Sequence, residues 1–134
     1  PDLVDQAVAM YASGSFDYCG NIVDRTYPDG LEVEVFSRAA LEMAALEATA
    51  PFDREHVTPF LNGIGREPGE TGVRQGYMKF EADFSHVRWT VDTAEDLDRV
   101  RALVAGVPAD AGWLHFLAQA TRKPELLGVS ECPR

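Results

Sequence analysis

Only two cysteines, Cys19 and Cys132, occur in the 134 residues, too few and too far apart for a disulfide framework or a zinc cluster. A reducing compartment is the expectation, by default the cytoplasm. No uninterrupted apolar stretch reaches the roughly 18 residues that a membrane-crossing helix needs. The start, Pro1-Asp2-Leu3, carries neither an initiator methionine nor a signal-type leader, and reads as cut from something longer. Basic residues are scarce, 12 against 22 acidic, for a formal net charge of -10. Such a charge repels nucleic-acid phosphates and anionic membrane surfaces, so neither is an expected partner. A phosphorylated substrate stays open, because helix amino termini, isolated arginines or a bound cation attract anions locally. Also missing are a glycine-rich phosphate loop, a nucleophile elbow and a cysteine pair at metal-binding spacing.

What is present suffices for a fold. An apolar fraction of 46% lies far from the sparse hydrophobicity of disordered chains, and the length fits one domain or part of one. Leu3, Val4, Ala7, Val8 and Tyr11 recur at helical spacing from Asp2 to Ala12, and Ser13-Gly14-Ser15 stops the helix. Phe16 to Gly20 suits a short buried strand, with Asn21 at its carboxyl end and a turn at Tyr27-Pro28-Asp29-Gly30. Leu31 to Phe36 alternates as a strand does, with Leu31, Val33 and Val35 on one face and Glu32 and Glu34 on the other. Ser37 caps a helix with an Ala40, Leu41, Ala44, Ala45, Ala48 stripe, and Pro51 marks its end.

Thr58-Pro59 predicts a short helix through Phe60 and Leu61, stopped by Asn62-Gly63. The glycines of the stretch from Gly65 to Gly76 make it the expected mobile loop, and composition alone suggests a closing lid. Tyr77 to Phe80 and Val87 to Val91 read as strands. After Asp92, Thr93 and Asp96 have capping-box spacing for a helix with Leu97, Val100, Leu103 and Val104 inward. A last amphipathic helix is expected from about Ala109 to Arg122, carrying Trp113, Leu114, Phe116 and Leu117, with His115 as a satisfied core or interface histidine.

Three places have chemistry in reach. Asp92 stands between a predicted strand and a helix, where open α/β sheets bind ligands and where magnesium can be held by a carboxylate plus substrate phosphates. A turn residue beside a cap is the plainer alternative. Glu32 and Glu34 on one strand face can bind a cation, accept sugar hydroxyls or simply face water. Arg54, Glu55 and His56 combine a fixed cation, an acceptor and a group titrating near neutrality, suited to a sugar carboxylate or to a salt-bridge cluster at a helix start.

Four ordered segments, Asp17-Tyr18-Cys19-Gly20-Asn21, Tyr27 through Ser37, Arg54-Glu55-His56-Val57-Thr58-Pro59 and Trp89 through Leu97, carry a family resemblance. Together they resemble the second half of the spore-coat polysaccharide cytidylyltransferases, relatives of acylneuraminate and ketodeoxyoctonate cytidylyltransferases. The resemblance spans roughly Pro1 to Val104. It implies an α/β, glycosyltransferase-A-like nucleotide-diphospho-sugar transferase fold, here partial, with a mostly parallel, mixed central sheet flanked by helices, and often a homodimer.

It also implies transfer of CMP from CTP to a sugar, sialic-acid-like or a related acid sugar, with magnesium and release of pyrophosphate. Asp92 becomes the expected metal carboxylate and catalytic residue, and Asn21, Glu32, Glu34, Arg54, Glu55 and His56 the expected substrate-side residues. By the same resemblance residues 1–134 form the carboxyl-terminal part of the cytidylyltransferase domain. The glycine-rich nucleotide loop and the first metal aspartate would precede Pro1, so the isolated chain is expected to be inactive. A non-catalytic carbohydrate-binding or dimerisation module from the same fold is the alternative, and Trp113 and Phe116 on the last helix argue for a small dimerising protein.

Overall fold

The computed structural model describes residues 2–129; Cys132 lies outside them. The chain forms two compact units, one of Leu3–Asp24 with Val33–Lys79 and one of Pro1–Asp2, Arg25–Glu32 and Phe80–Arg134. They are called the sheet unit and the helical unit below.

In the sheet unit, α1 (Asp2–Ala12) leads into β1 (Tyr18–Gly20), followed by β2 (Glu34–Phe36) and β3 (Gln75–Tyr77). The order is β2-β1-β3. β1 runs antiparallel to β2, pairing Cys19 with Val35, and parallel to β3, pairing Cys19 with Gly76. The sheet is therefore mixed and flanked by helices as expected, and half of its pairing is antiparallel. The strand predicted from Leu31 begins only at Glu34. Leu31 N–H instead closes a turn onto the Pro28 carbonyl at 3.1 Å. β3 starts two residues before the predicted Tyr77.

Helix α2 (Arg38–Glu47) starts where Ser37 accepts from Ala40 N–H, and buries Ala40 and Ala44, with Ala48 buried at its cap. These small side chains pack with Tyr18, Phe60, Leu61 and Val73 in one core, where alanines leave room for close backbone approach. Pro51 does more than end α2. It opens α3 (Pro51–His56) from the first turn, where its missing N–H would have no intrahelical partner. Pro59 does the same for α4 (Pro59–Asn62), which stops at Gly63 in the left-handed conformation, φ 76°. The glycine-rich stretch that follows is a series of β-turns, with Arg66, Glu70 and Gly72 N–H bonded to the carbonyls of Gly63, Glu67 and Gly69. Arg66 anchors it through an ion pair with the buried Asp53 carboxylate.

In the helical unit the predicted strand from Val87 to Val91 reduces to a single parallel bridge between Asp29 and Arg88. Asp29 N–H bonds the Val87 carbonyl and Trp89 N–H the Asp29 carbonyl, at 2.9 and 2.7 Å. On the other side Arg88 N–H goes to Leu127 O, 3.0 Å, and Trp89 Nε1 to Leu126 O, 3.1 Å. Irregular neighbours, not strands, thus satisfy this β-prone segment. Gly30 makes the bridge possible: at φ +101° it is left-handed, and a Cβ there would lie 2.8 Å from Thr90 N.

Helix α5 (Ala94–Val104) has the predicted capping box in full, Thr93 accepting from Asp96 N–H and Asp96 from Thr93 N–H. Of its four expected inward residues Leu103 is buried, Val100 is half-buried, and Leu97 and Val104 are exposed. Helix α6 (Trp113–Arg122) begins later than expected, because Ala111 N–H closes a turn on Pro108 O. Trp113 is buried among Tyr27, Phe80 and Phe84, with ring centroids 5.5, 5.0 and 6.0 Å away. Its indole is thus packed inside the unit, while Phe116 on the same helix is half-buried and Leu114 exposed. His115 is exposed on this helix and so is not a core histidine. Among the described residues no helix is long and apolar enough to cross a membrane.

Candidate functional site

Asp92 sits one residue before the Thr93 cap of α5, in the helical unit. Its side chain is 70% exposed, and Oδ2 accepts from Arg88 Nη2 at 2.6 Å. The same guanidinium donates to Asp96 Oδ1 at 2.6 Å, so one arginine spans two carboxylates four residues apart. Asp96 is buried and also accepts from Arg99 and from the Asp92 and Thr93 amides at 3.1 and 3.0 Å. The Arg88 hydrogen bond, with those backbone donors, holds the Asp96 carboxyl far below the usual carboxylate range, against the opposing effect of burial. The bond to Asp96 likewise pushes Arg88 up. The two acids therefore divide the work. Asp96 is the internal counterion and cap; Asp92 is the one left facing outward, with Oδ1 outside the ion pair.

In the sheet unit Asn21 and Glu34 come together at the carboxyl end of β1. Asn21 is buried and its Oδ1 accepts from Val33 N–H at 2.8 Å, so it extends the β1 pairing one step beyond Gly20. Glu34 lies on β2 opposite Gly20 and accepts from Tyr18 Oη at 2.6 Å and Thr58 Oγ1 at 3.1 Å. Gly20 is what lets the tyrosine reach it: a Cβ there would fall 2.5 Å from Tyr18 Oη. Burial first, and the Glu34 hydrogen bond second, push the Tyr18 phenol far above its usual value, so it stays a donor at any physiological pH.

Glu32 does not share a face with Glu34, as the predicted strand required. It belongs to the helical unit, where it closes the turn by accepting from Gly30 N–H at 2.8 Å and pairs with Arg25. The physical reason is the turn: its closure consumes the residues that the alternation had assigned to a strand. Arg54, Glu55 and His56 occupy the last turn of α3 and are exposed, where consecutive helical residues project in different directions. They do not form a cluster at a helix start. Arg54 Nη1 bonds Ala45 O, 3.0 Å, at the end of α2, and the His56 ring lies 4.6 Å from that of Phe52. Tyr18, Thr58 and Arg88 were not singled out in the sequence. Arg88 had a readable signal, an arginine four residues before an acid; Tyr18 and Thr58 reach Glu34 across 16 and 24 residues, which no local pattern reveals.

Among the described residues no three His, Cys, Asp or Glu side chains converge as a metal site. Magnesium does not require that, since one or two carboxylates suffice when phosphates and waters complete the octahedron. Asp92 offers one exposed carboxylate, whose Oδ2 is already paired with the Arg88 guanidinium, and it follows a single β-bridge rather than the strand end that the sequence predicted. Asp96 offers none, because two arginines and two amides already take up its oxygens.

No family model matches the chain. The architecture contains a mixed three-stranded sheet flanked by helices. It superposes on a cytidylyltransferase from Leptospira borgpetersenii serovar Hardjo-bovis with a TM-score of 0.80 and 20% sequence identity, over 99% of this chain and 55% of that one. At that identity the likeness is one of fold. In sequence, the chain is 32% identical over 102 residues to an uncharacterized protein of Methanocaldococcus jannaschii, covering 71% of this chain and 37% of the archaeal protein. The chain thus spans about a third to a half of the proteins it matches.

Proposed function

We propose that these residues form the acceptor-side portion of a cytidylyltransferase, which transfers CMP from CTP to a sugar and releases pyrophosphate. The observation that carries this reading is the arrangement of Asp92, the outward member of an Arg88-bridged acid pair, in a fold superposable on a cytidylyltransferase over 99% of its length. A sugar oxygen attacks the α-phosphorus in line, and the bond to the β-phosphate oxygen breaks. Bound magnesium would offset charge on the phosphates, and Asp92 would hold it.

The chain's own contribution is positioning. Arg88 fixes the Asp92 carboxylate, and Tyr18 with Thr58 orients Glu34 as an acceptor at the end of β1. The sialic-acid-like class of acceptor and the link to surface polysaccharide follow the family resemblance. Homodimer formation is part of the same proposal, and exposed Leu46, Phe52 and Val57 in and around α2 and α3 supply apolar surface for it.

The test is an amide-resolved NMR titration of the whole chain with magnesium and pyrophosphate, beside a pyrophosphate-release assay with CTP. Magnesium-dependent shifts at residues 92–95, absent in Asp92→Ala, are expected, with no turnover by the isolated chain. An Asp92→Ala protein that titrates like the wild type overturns the assignment.

A further inference from the structure

The joint between α3 and α4, in the sheet unit, is strained at two consecutive residues. Val57, at φ 67° and ψ -53°, is the one non-glycine residue with positive φ among the described residues, and a β-branched side chain makes that conformation an outlier. It is the centre of a three-residue turn closed by Thr58 N–H on His56 O at 2.8 Å, a strained kind of turn. Thr58 follows at φ -98° and ψ -9°, in the helical region that a residue before proline avoids. Val57 is exposed, so its own packing does not impose the strain. What the joint achieves is the aim of Thr58, whose Oγ1 donates to Glu34 Oε2 at 3.1 Å while Tyr18 holds Oε1.

One side chain reaches both sides of this joint. Arg66 pairs with the buried Asp53 carboxylate of α3, donates through Nη1 to Pro59 O of α4 at 3.2 Å, and lies 5.6 Å from the centre of the Phe60 ring. It belongs to the glycine-rich segment 65–72, in which Gly65, Gly69 and Gly72 have positive φ and an added Cβ would meet no atom within 4 Å. Apart from bonds to its chain neighbours at 63 and 73, every hydrogen bond and ion pair that ties this segment to the other described residues runs through Arg66.

We propose that the segment is a strap that controls Glu34: docked through Arg66 it locks the strained joint and keeps Thr58 on the carboxylate, and undocked it lets Val57 relax and frees Glu34 Oε2. Backbone strain of this kind and a hydroxyl-to-carboxylate hydrogen bond are of the same order in free energy, so the bond to Thr58 does not hold the joint by itself. Arg66 is thus a positioning residue, acting on Glu34 through α3 and α4. The use of the device rests on the reading of Glu34 as an acceptor group; its mechanics do not.

The experiment is NMR on the full chain without magnesium, nucleotide or sugar. Arg66→Lys keeps a charge for Asp53, so the fold is retained, but one nitrogen replaces the fork that spans both helices. Backbone order parameters in 65–72 are expected to fall from about 0.85 to below about 0.6. The three-bond couplings of Thr58 should change from those of one rotamer to averaged values. The Glu34 carboxyl carbon should move at least halfway to its position in Thr58→Val, although Arg66 bonds to neither residue. Val57→Gly removes the strain, since glycine adopts positive φ freely. Added to Arg66→Lys, it should restore the single Thr58 rotamer and leave 65–72 mobile. An ordered segment or unchanged Thr58 and Glu34 signals in Arg66→Lys, or averaging at Thr58 that persists in the double variant, overturns the strap. The magnesium and pyrophosphate titration at residues 92–95 is a separate measurement, so either reading can fail alone.

Discussion

Arg88 donates to Asp92 at 2.6 Å through one nitrogen while the other, also at 2.6 Å, holds Asp96. The exposed acid is thereby tethered to the buried one through a single guanidinium. Removing the arginine should therefore do two separable things. Arg88→Ala is expected to lower the melting temperature, because Asp96 loses a partner inside the unit, and also to weaken the magnesium response at residues 92–95. Asp92→Ala should abolish that response while melting like the wild type, since an exposed ion pair contributes little. Differential scanning calorimetry beside the metal titration reads both.

The Tyr18–Glu34 bond makes a second prediction. Tyr18→Phe keeps the ring but leaves a half-buried carboxylate with Thr58 as its remaining side-chain donor. A loss of about 1–3 kcal/mol in urea unfolding is expected. A midpoint unchanged from wild type would mean that water replaces the phenol without cost.

The same tyrosine sets an alkaline limit. Its folded pKa is raised above the unfolded value near 10, so the folded state keeps a proton that the unfolded chain releases. Stability from this group is complete below about pH 10 and declines as the pH rises beyond it. The Tyr18→Phe protein should show a shallower decline in a pH series of chemical melts.

At the acid end the sign reverses. Arg74 hydrogen bonds, from the side chain first and the backbone second, lower the Asp17 carboxyl from 3.8 to about 2. Its contribution is present above about pH 4 and is lost as the pH falls toward 2. The pair is solvent-exposed, so the effect is small; Asp17→Asn should flatten that part of the profile, measured by NMR titration and acid melts.

Gly20→Ala should be costly out of proportion to one methyl group. The new Cβ would meet Tyr18 Oη at 2.5 Å, and either the phenol or the strand must shift. About 1–3 kcal/mol is expected for overpacking of this kind. The double variant with Tyr18→Phe should recover part of it, which a cycle of chemical melts tests.

Local chemistry was legible in the sequence wherever a few neighbouring residues decide the outcome. The first helix from Asp2 to Ala12, the Ser37 cap and the Thr93–Asp96 capping box depend on spacing and backbone preference over three or four residues, and all are observed; the turn expected at Tyr27–Gly30 closes one residue later, from Leu31 N–H to Pro28 O. Tertiary partners decided the rest. Whether Val87 to Val91 became a strand depended on which backbone lay beside it, and Leu127 and Asp29 took those hydrogen bonds. Whether Glu32 faced Glu34 depended on the turn, which drew Glu32 to Gly30 and Arg25. Hydrogen bonds and burial pair residues far apart in the chain, and only the folded arrangement specifies which distant group a polar side chain meets.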